Sequence, residues 1–382
     1  MQEPHDIHIA PARRDADRVC YQLNFPGRSY DVYFSSSRVE LAGTAEAALA
    51  LVALGAMRTG SAVICDTPLS MTFVRNQQRL SEIFTGWFPE FSSLLVRAEQ
   101  KVAAPHNTGR VGCFFTGGVD SFYSFLQHRD EITDLIYVHG YDIKLDDLQH
   151  RRAVSEMGAA IERDTGVRFI EIETDAIRVF KDFGKWGLHG HGYGLGVVAR
   201  LLEGYLDRIY IPSSFSQSEQ LPWASHPDTD PLFTDEALQV IHDDCSVGRT
   251  DKICFLSSHE LALRHLRVCW KNVAGAYNCG TCEKCLRTMT SLYGMGVLER
   301  SVTFPQGIDV RAIRHLVVDA DSSRRFVADN IAFLHGRGLG QSDVARAWQI
   351  VLDRPAWRNR VINRVRRLRK QWQRAIGKLD RG

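Results

Sequence analysis

Short apolar runs and amphipathic stretches alternate along the central part of the chain. Residues 111–115 are mostly apolar, as in a buried strand, and apolar positions three and four apart follow from residue 122, as on one face of a helix. The alternation predicts further strands over residues 135–139, 167–172 and 209–212, and helices over residues 148–165 and 192–205. We therefore expect an α/β fold in which a parallel sheet has helices on both faces.

The first hundred residues have their own pattern of strands and helices. Two stretches with alternating apolar residues flank Pro26 and Gly27 and predict paired strands over residues 19–23 and 30–34. Further strands are predicted over residues 61–65 and 94–98 and around Ile7, and helices over residues 45–57 and 70–87. Because the polar stretch 101–110 is typical of a linker, we expect a small N-terminal α/β domain at 1–106, a central domain at 107–300 and a helical C-terminal region at 301–382.

The turn after the first central strand has the composition of an anion site. Two glycines lie between hydroxyl and acidic residues in the order Thr116, Gly117, Gly118, Val119, Asp120 and Ser121. The free N–H groups and the dipole of a helix start favour a negative ligand there. Asp120 repels phosphate, so a phosphate ligand would require a Mg²⁺ ion between them. The alternative is an ordinary strand–helix turn, because short glycine motifs also match by chance.

This run, TGGVDS, resembles the SGG-x-DS loop of the PP-loop ATP pyrophosphatases. Thr116 replaces the usual first serine and keeps a hydroxyl. The resemblance implies a Rossmann-like fold of the HUP type and binding of ATP and Mg²⁺ at residues 116–121. It also implies cleavage of ATP between its α- and β-phosphates, with Asp120 and Ser121 taking part in catalysis. The sequence contains no Walker loop of the form G-x-x-x-x-G-K-[ST].

Two further stretches contain candidate residues at the strand ends where ligands bind in such sheets. The glycine-rich stretch 186–196 contains His189 and His191, which are candidates for proton transfer or phosphate contacts. Ordinary histidines of a loop are an equally good interpretation. The long polar stretch 211–230 is typical of a lid over a site. Its candidate substrate contacts are Ser213, Ser214, His226 and Asp230.

A basic pair, Arg249 and Lys252, lies between this polar stretch and the cysteines. Positive side chains near a phosphate ester can stabilise charge that builds up on the α-phosphate or on leaving pyrophosphate. We therefore include both as catalytic candidates. A basic pair at the start of a helix is also common on protein surfaces, and this interpretation stays open.

Four of the nine cysteines have the spacing of a metal site. Cys269, Cys279, Cys282 and Cys285 form the pattern C-x₉-C-x₂-C-x₂-C. Two-residue gaps allow consecutive thiolates to reach one centre, and a fourth sulfur completes the tetrahedron of a structural Zn²⁺ site. The alternatives are an iron–sulfur cluster and cysteines that carry sulfur as persulfides.

The glycine turn and the cysteine pattern together resemble 7-cyano-7-deazaguanine synthase. The resemblance covers residues 111–296, about half of the 382-residue chain. It implies formation of an adenylate on a carboxylate of a nucleobase-like molecule, followed by attack of a nitrogen nucleophile. The stretches 1–106 and 301–382 are not part of that family's plan, so we expect the same activation chemistry on a different substrate.

The charge of the chain is unevenly distributed. Its net charge is +2, but residues 354–382 contain 11 Lys and Arg and one acidic residue, a net charge of +10. Apolar residues of this tail fall three and four apart, on one face of a basic helix. We expect the face either to pack on the protein or to bind an anionic partner, RNA or a membrane surface. No apolar run resembles a membrane span or a signal peptide, so a cytoplasmic protein is expected.

These observations predict an ATP-dependent, ligase-like enzyme that forms AMP and pyrophosphate on a small-molecule substrate. No glutaminase motif is evident in the sequence, so ammonia would come from solution or from another protein. One alternative is thiolation of a small molecule or tRNA with a sulfur donor. Another is a regulatory nucleotide-binding module without turnover. A homo-oligomer is expected in each case.

Overall fold

The computed structural model describes residues 6–273, 275–318, 321–355, 357–365 and 368. The chain forms two compact units, residues 1–249 and residues 250–382.

The first unit contains both sheets, and the second unit is helical. The elements of the first unit are β1 Ile7–Ile9, β2 Arg13–Asp15, β3 Arg18–Phe25, β4 Arg28–Ser35, α1 Ala45–Thr59, β5 Ala62–Ser70, α2 Met71–Trp87, β6 Leu95–Lys101, β7 Val111–Phe114, α3 Val119–Gln127, β8 Asp134–His139, α4 Leu148–Thr165, β9 Arg168–Thr174, α5 Ile177–Phe183, α6 His191–Leu201, β10 Arg208–Ile211 and β11 Gln239–His242. Helix α7 Arg249–Leu256 starts at the last residue of this unit. The remaining helices are α8 Glu260–His265, α9 Glu283–Gly294, α10 Val310–Arg314, α11 Asp321–Gly336 and α12 Asp343–Leu352.

The main sheet has eight strands in the order β11-β10-β7-β8-β9-β4-β3-β2. The five strands from β11 to β9 are parallel, and β4, β3 and β2 continue the sheet in antiparallel pairing. The predicted α/β fold with parallel strands is therefore confirmed. Numbered along the chain, the parallel strands have the order 3-2-1-4-5, so the direction of the strand order reverses at β7.

Helices cover both faces of the parallel strands. Phe115 packs on Phe122 and Phe125 of α3 on one face. Phe114 and Ile136 belong to the main core cluster, which contains the buried residues of α1 and α6. Neighbouring residues of a strand point to opposite faces, so α3 lies on one side of the sheet and the larger core lies on the other.

A second, three-stranded parallel sheet has the order β1-β5-β6 and contacts α1 and α2. Asn76 and Gln77 of α2 donate hydrogen bonds to the carbonyls of Thr234 and Leu232, at 2.8 and 3.0 Å. The pairing of β4 with β9 makes a hairpin from the first hundred residues part of the main sheet.

The stretch 186–201 differs from its prediction as a glycine-rich loop followed by a helix. Residues Trp186–Gly190 form a π-helical turn that leads directly into α6. The glycines allow close packing: a Cβ at Gly192 would lie 1.9 Å from the carbonyl oxygen of Ala224, and one at Gly196 would lie 2.2 Å from the ring of Phe233. Alternating glycines here mark a helix packed closely against its neighbours.

In the second unit, α9 to α12 pack around Trp348, which is 1% exposed and donates a 2.8 Å hydrogen bond to the hydroxyl of Thr290. Residues 357–365 are helical, and Asn359 donates to the carbonyl of Val318 at 2.8 Å. Most of the predicted basic helix beyond residue 365 lies outside the described residues.

Candidate functional sites

The glycine turn joins β7 to α3 at the carboxyl end of a central strand. Gly117 has a φ of +74°, a backbone conformation that favours glycine. Gly118 is the N-cap of α3, and no side chain caps the helix start. The amides of the first helical turn are therefore available to a negatively charged ligand.

The two hydroxyls of the turn have different environments. Ser121 is 5% exposed; its Oγ donates to the carbonyl of Gly118 at 3.2 Å and accepts from the amide of Thr116 at 3.3 Å. Ser121 therefore fastens the turn together, whereas the exposed Thr116 faces solvent. Of the two predicted hydroxyl donors, Thr116 is the exposed one.

Asp120 forms an ion pair with Arg249. Nη1 of Arg249 lies 3.0 Å from Oδ2 of Asp120. The side chain of Arg249 is 17% exposed and that of Asp120 is 20% exposed. The pair brings together two sequence-predicted candidates that are 129 residues apart. A carboxylate on a partly exposed turn suits a hard cation such as Mg²⁺, and a guanidinium suits phosphate oxygens. The structure thus brings a carboxylate and a guanidinium together at the glycine turn.

The turn lies at the topological switch point of the parallel sheet. The chain leaves β7 toward β8 on one side, and β10 pairs with β7 on the other. In open α/β sheets, ligands bind in the crevice at this point, beyond the carboxyl ends of the strands. Residues 115–121 and 212–218 follow the carboxyl ends of β7 and β10, which are neighbours in the sheet.

His189 lies in an aromatic cluster. Its ring is 4.6 Å from that of Phe88 and 5.1 Å from that of Phe91, and its Nδ1 accepts from the amide of Lys185 at 3.1 Å. Burial lowers the pKa of His189, which favours the neutral ring. His191 is half-buried and packs edge-on against Trp186 at 5.4 Å. These contacts of His189 are with Phe88, Phe91 and Lys185, which lie outside the glycine turn.

The candidates in the stretch 211–230 are mostly buried and hydrogen-bonded. Ser213 donates to the carbonyl of Phe215 at 2.8 Å, and Ser214 is exposed. His226 is 7% exposed and packs edge-on against Trp87, and its burial lowers its pKa. Two short 3₁₀ turns, Gln217–Glu219 and Asp230–Phe233, order parts of a stretch that was expected to have little structure.

The sequence did not indicate two carboxylate–histidine pairs. Nδ1 of His242 lies 2.8 Å from Oδ2 of Asp230, which is 0% exposed. His139, the last residue of β8, has its Nε2 2.7 Å from Oε1 of Glu171. The pairing depends on strand register: Tyr137 is level with Glu171 on β9 and His139 is two residues further on, an arrangement that the linear sequence does not display.

Lys252 belongs to the second unit and is 2% exposed in α7. Arg249, the first residue of the same helix, contacts the glycine turn through its ion pair with Asp120. Their spacing of three along a helix placed them together in the sequence, but their environments differ.

The four predicted cysteines converge in the second unit. The sulfurs of Cys269, Cys279, Cys282 and Cys285 all lie within 4.8 Å of one another, and those of Cys279 and Cys285 are 3.9 Å apart. A tetrahedral ion with Zn–S bonds of about 2.3 Å would place its sulfurs about 3.8 Å apart. The amide of Cys282 donates to the sulfur of Cys279 at 3.3 Å, as expected for a sulfur that becomes a thiolate. The cluster could thus hold a metal ion.

Neighbouring thiols of this cluster change one another's pKa values. The hydrogen bond from Cys285 lowers the pKa of Cys282 to about 5, and the same bond raises the pKa of Cys285. Burial raises the pKa of Cys269. Four thiolates this close repel one another, and a divalent cation at the centre removes that repulsion.

No family model, curated protein or solved structure matches the chain. Across the described ranges, no helix combines the length and the apolar character needed to cross a bilayer.

Proposed function

We propose that the protein transfers AMP from ATP to a carboxylate or carbonyl oxygen of a small, nucleobase-like molecule and releases pyrophosphate, and that a nitrogen nucleophile then displaces AMP. The observation that carries the proposal is the position of TGGVDS. It combines a glycine turn and a helix start without a side-chain cap at the switch point of a parallel sheet of order 3-2-1-4-5. Assignment to the PP-loop family is part of this proposal.

The turn supplies the groups needed to hold a leaving pyrophosphate. The first-turn amides of α3 and the hydroxyl of Thr116 would donate to the β- and γ-phosphates. The turn contains no lysine of the Walker kind to accompany a transferred γ-phosphate. The α-phosphorus would then be the atom open to attack by the substrate oxygen.

Asp120, through Mg²⁺, and Arg249 would each stabilise negative charge on a different part of the triphosphate. Mg²⁺ on Asp120 would offset charge on the oxygen that bridges the α- and β-phosphates. Asp120, which pairs with Arg249, would hold the cation, and the Arg249 guanidinium would then contact phosphate oxygens. The ion pair would thus keep both groups in place before ATP binds.

The cysteine cluster would hold Zn²⁺ in a structural role. All four coordination positions would be filled by sulfur, which leaves no open position for substrate or water.

Asp120→Ala tests the proposal directly. With ATP, Mg²⁺, ammonium and a pool of small carboxylates, the wild type should form AMP and pyrophosphate in equal amounts. The variant should be slower by roughly two to three orders of magnitude, because metal-borne charge stabilisation is lost. Nucleotide chromatography measures both products, and mass spectrometry identifies the adenylated compound.

Asp130→Ala is the matched control, because Asp130 is exposed just past the other end of α3 and its loss should leave the rate unchanged. Formation of ADP and orthophosphate would refute the assignment. If the reaction requires sulfide and not ammonium, the adenylation step of the proposal stands, but the nucleophile is sulfur and not nitrogen.

A further inference from the structure

An indole side chain stands exposed beside the cysteine cluster. Trp270 directly follows Cys269 and is 61% exposed, and Val273 is 47% exposed on the same loop. Lys271, between them in sequence, is also exposed. Tryptophan is rarely left in solvent without a role, because its large apolar surface favours burial.

The loop that carries Trp270 is fixed at its base. Oδ1 of Asn278 accepts from the amides of Val268 and Cys269, at 2.9 and 3.1 Å, and its Nδ2 donates to the carbonyl of Leu266 at 2.8 Å. A metal ion on Cys269 and Cys279 would close the two ends of the loop further. An exposed side chain on a fixed loop loses little entropy when a ligand binds.

The net charge of the sequence that contains Trp270 is positive, which favours an anionic partner; of the +13 carried by residues 250–382, +10 belongs to residues 354–382. Residues 250–382 contain 24 Lys and Arg and 11 Asp and Glu, a net charge of +13. Residues 1–249 contain 23 Lys and Arg and 34 Asp and Glu, a net charge of −11. Residues 264–287 contain five basic residues and one acidic residue, so this stretch stays positive even when four thiolates around Zn²⁺ add two negative charges.

We propose that Trp270 and Lys271 form a binding site for single-stranded nucleic acid. The indole stacks on an unpaired base and the ammonium contacts a neighbouring phosphate. Stacking on an aromatic ring requires an unpaired base, and positive charge favours the backbone, so this partner uses both features of the loop. The site is independent of the proposed adenylation.

Fluorescence anisotropy with labelled U₂₀ and dT₂₀ tests this inference on the full chain. Trp270→Ala should weaken binding by about 5- to 150-fold, and Trp270→Phe, which keeps a ring, should retain most of the affinity. Lys271→Gln should reduce the slope of log K against log salt by about 0.7. Stronger binding of U₂₀ than of dT₂₀ would identify RNA as the source of the strand.

Leu148→Ala, which removes an apolar side chain that is 69% exposed in the first unit, should leave the affinity unchanged. Zinc content and thermal unfolding of Trp270→Ala should equal those of the wild type. Equal affinity of wild type and Trp270→Ala, or binding to anionic vesicles but to neither oligonucleotide, would overturn the inference.

Discussion

Cys282 has two roles at the residue scale. Its sulfur belongs to the cysteine cluster, and it is also the N-cap of α9, where it accepts a hydrogen bond from the amide of Cys285. Serine is a good N-cap, so Cys282→Ser keeps the cap and removes a metal ligand. The substitution thereby separates the contribution of the metal from that of the helix start.

We expect Cys282→Ser to lose bound zinc and to destabilise the second unit by about 4 kcal/mol, a fall in Tm of about 8–16 °C. Elemental analysis and calorimetry measure the two effects. Cys254→Ser, in the same unit but outside the cluster, should keep the metal. Iron with labile sulfide in the purified wild type would contradict the zinc assignment.

His189 makes the stability of the first unit sensitive to acid. Burial lowers its pKa below that of the unfolded chain, so its contribution is present above the unfolded pKa and is lost as the pH falls through the folded pKa. His189→Gln cannot take up this proton and keeps an acceptor for the amide of Lys185. The stability advantage of the wild type over the variant should therefore shrink between pH 7 and pH 5.

Denaturant titrations at several pH values measure this advantage as a free energy of unfolding. His226→Gln should show the same direction, because burial also lowers the pKa of His226. An advantage that stays constant from pH 7 to pH 5 would show that neither ring resists protonation in the folded state.

At the scale of elements, helix α6 depends on the absence of a side chain at Gly192. A Cβ there would meet backbone, 1.9 Å from the carbonyl oxygen of Ala224, so either α6 or the stretch that contains Ala224 must move. Gly192→Ala should cost about 3 kcal/mol. Gly86→Ala, in an exposed part of α2 where an added Cβ meets nothing within 4 Å, should stabilise by about 0.4–1 kcal/mol. Thermal unfolding of the two variants measures these opposite changes in stability, one from a packing clash and the other from helix propensity.

Elements with local signals were predicted well. Helix α4 was expected at its observed bounds, because Asp147 caps its start and Gly166 ends it in the left-handed conformation. A helix was predicted over residues 192–205 and α6 is observed at His191–Leu201, whereas the π-helical turn Trp186–Gly190 was not predicted. The glycines of this stretch serve contacts with distant residues such as Ala224, which the linear sequence does not display. For the same reason the sequence did not reveal that Asp120 pairs with Arg249, 129 residues away.

At the scale of the whole molecule, the two units differ in charge by 24, from −11 to +13. Arg358, Arg360 and Arg364 are exposed on the helical stretch 357–365. Replacing all three with glutamine should lower the salt concentration that elutes the protein from heparin, because fewer counterions are exchanged. The triple variant Arg13→Gln, Arg152→Gln and Arg163→Gln, exposed sites of the first unit, should elute as the wild type does.

The pairing of β4 with β9 has a consequence for synthesis. Phe34 pairs with Thr174, so the β3–β4 hairpin emerges from the ribosome 140 residues before the strand that completes its edge. At 5–20 residues per second, the hairpin waits about 7–28 s with an open edge. During that interval the nascent chain exposes an open strand edge that can pair with other chains, and a chaperone that binds nascent chains would protect it.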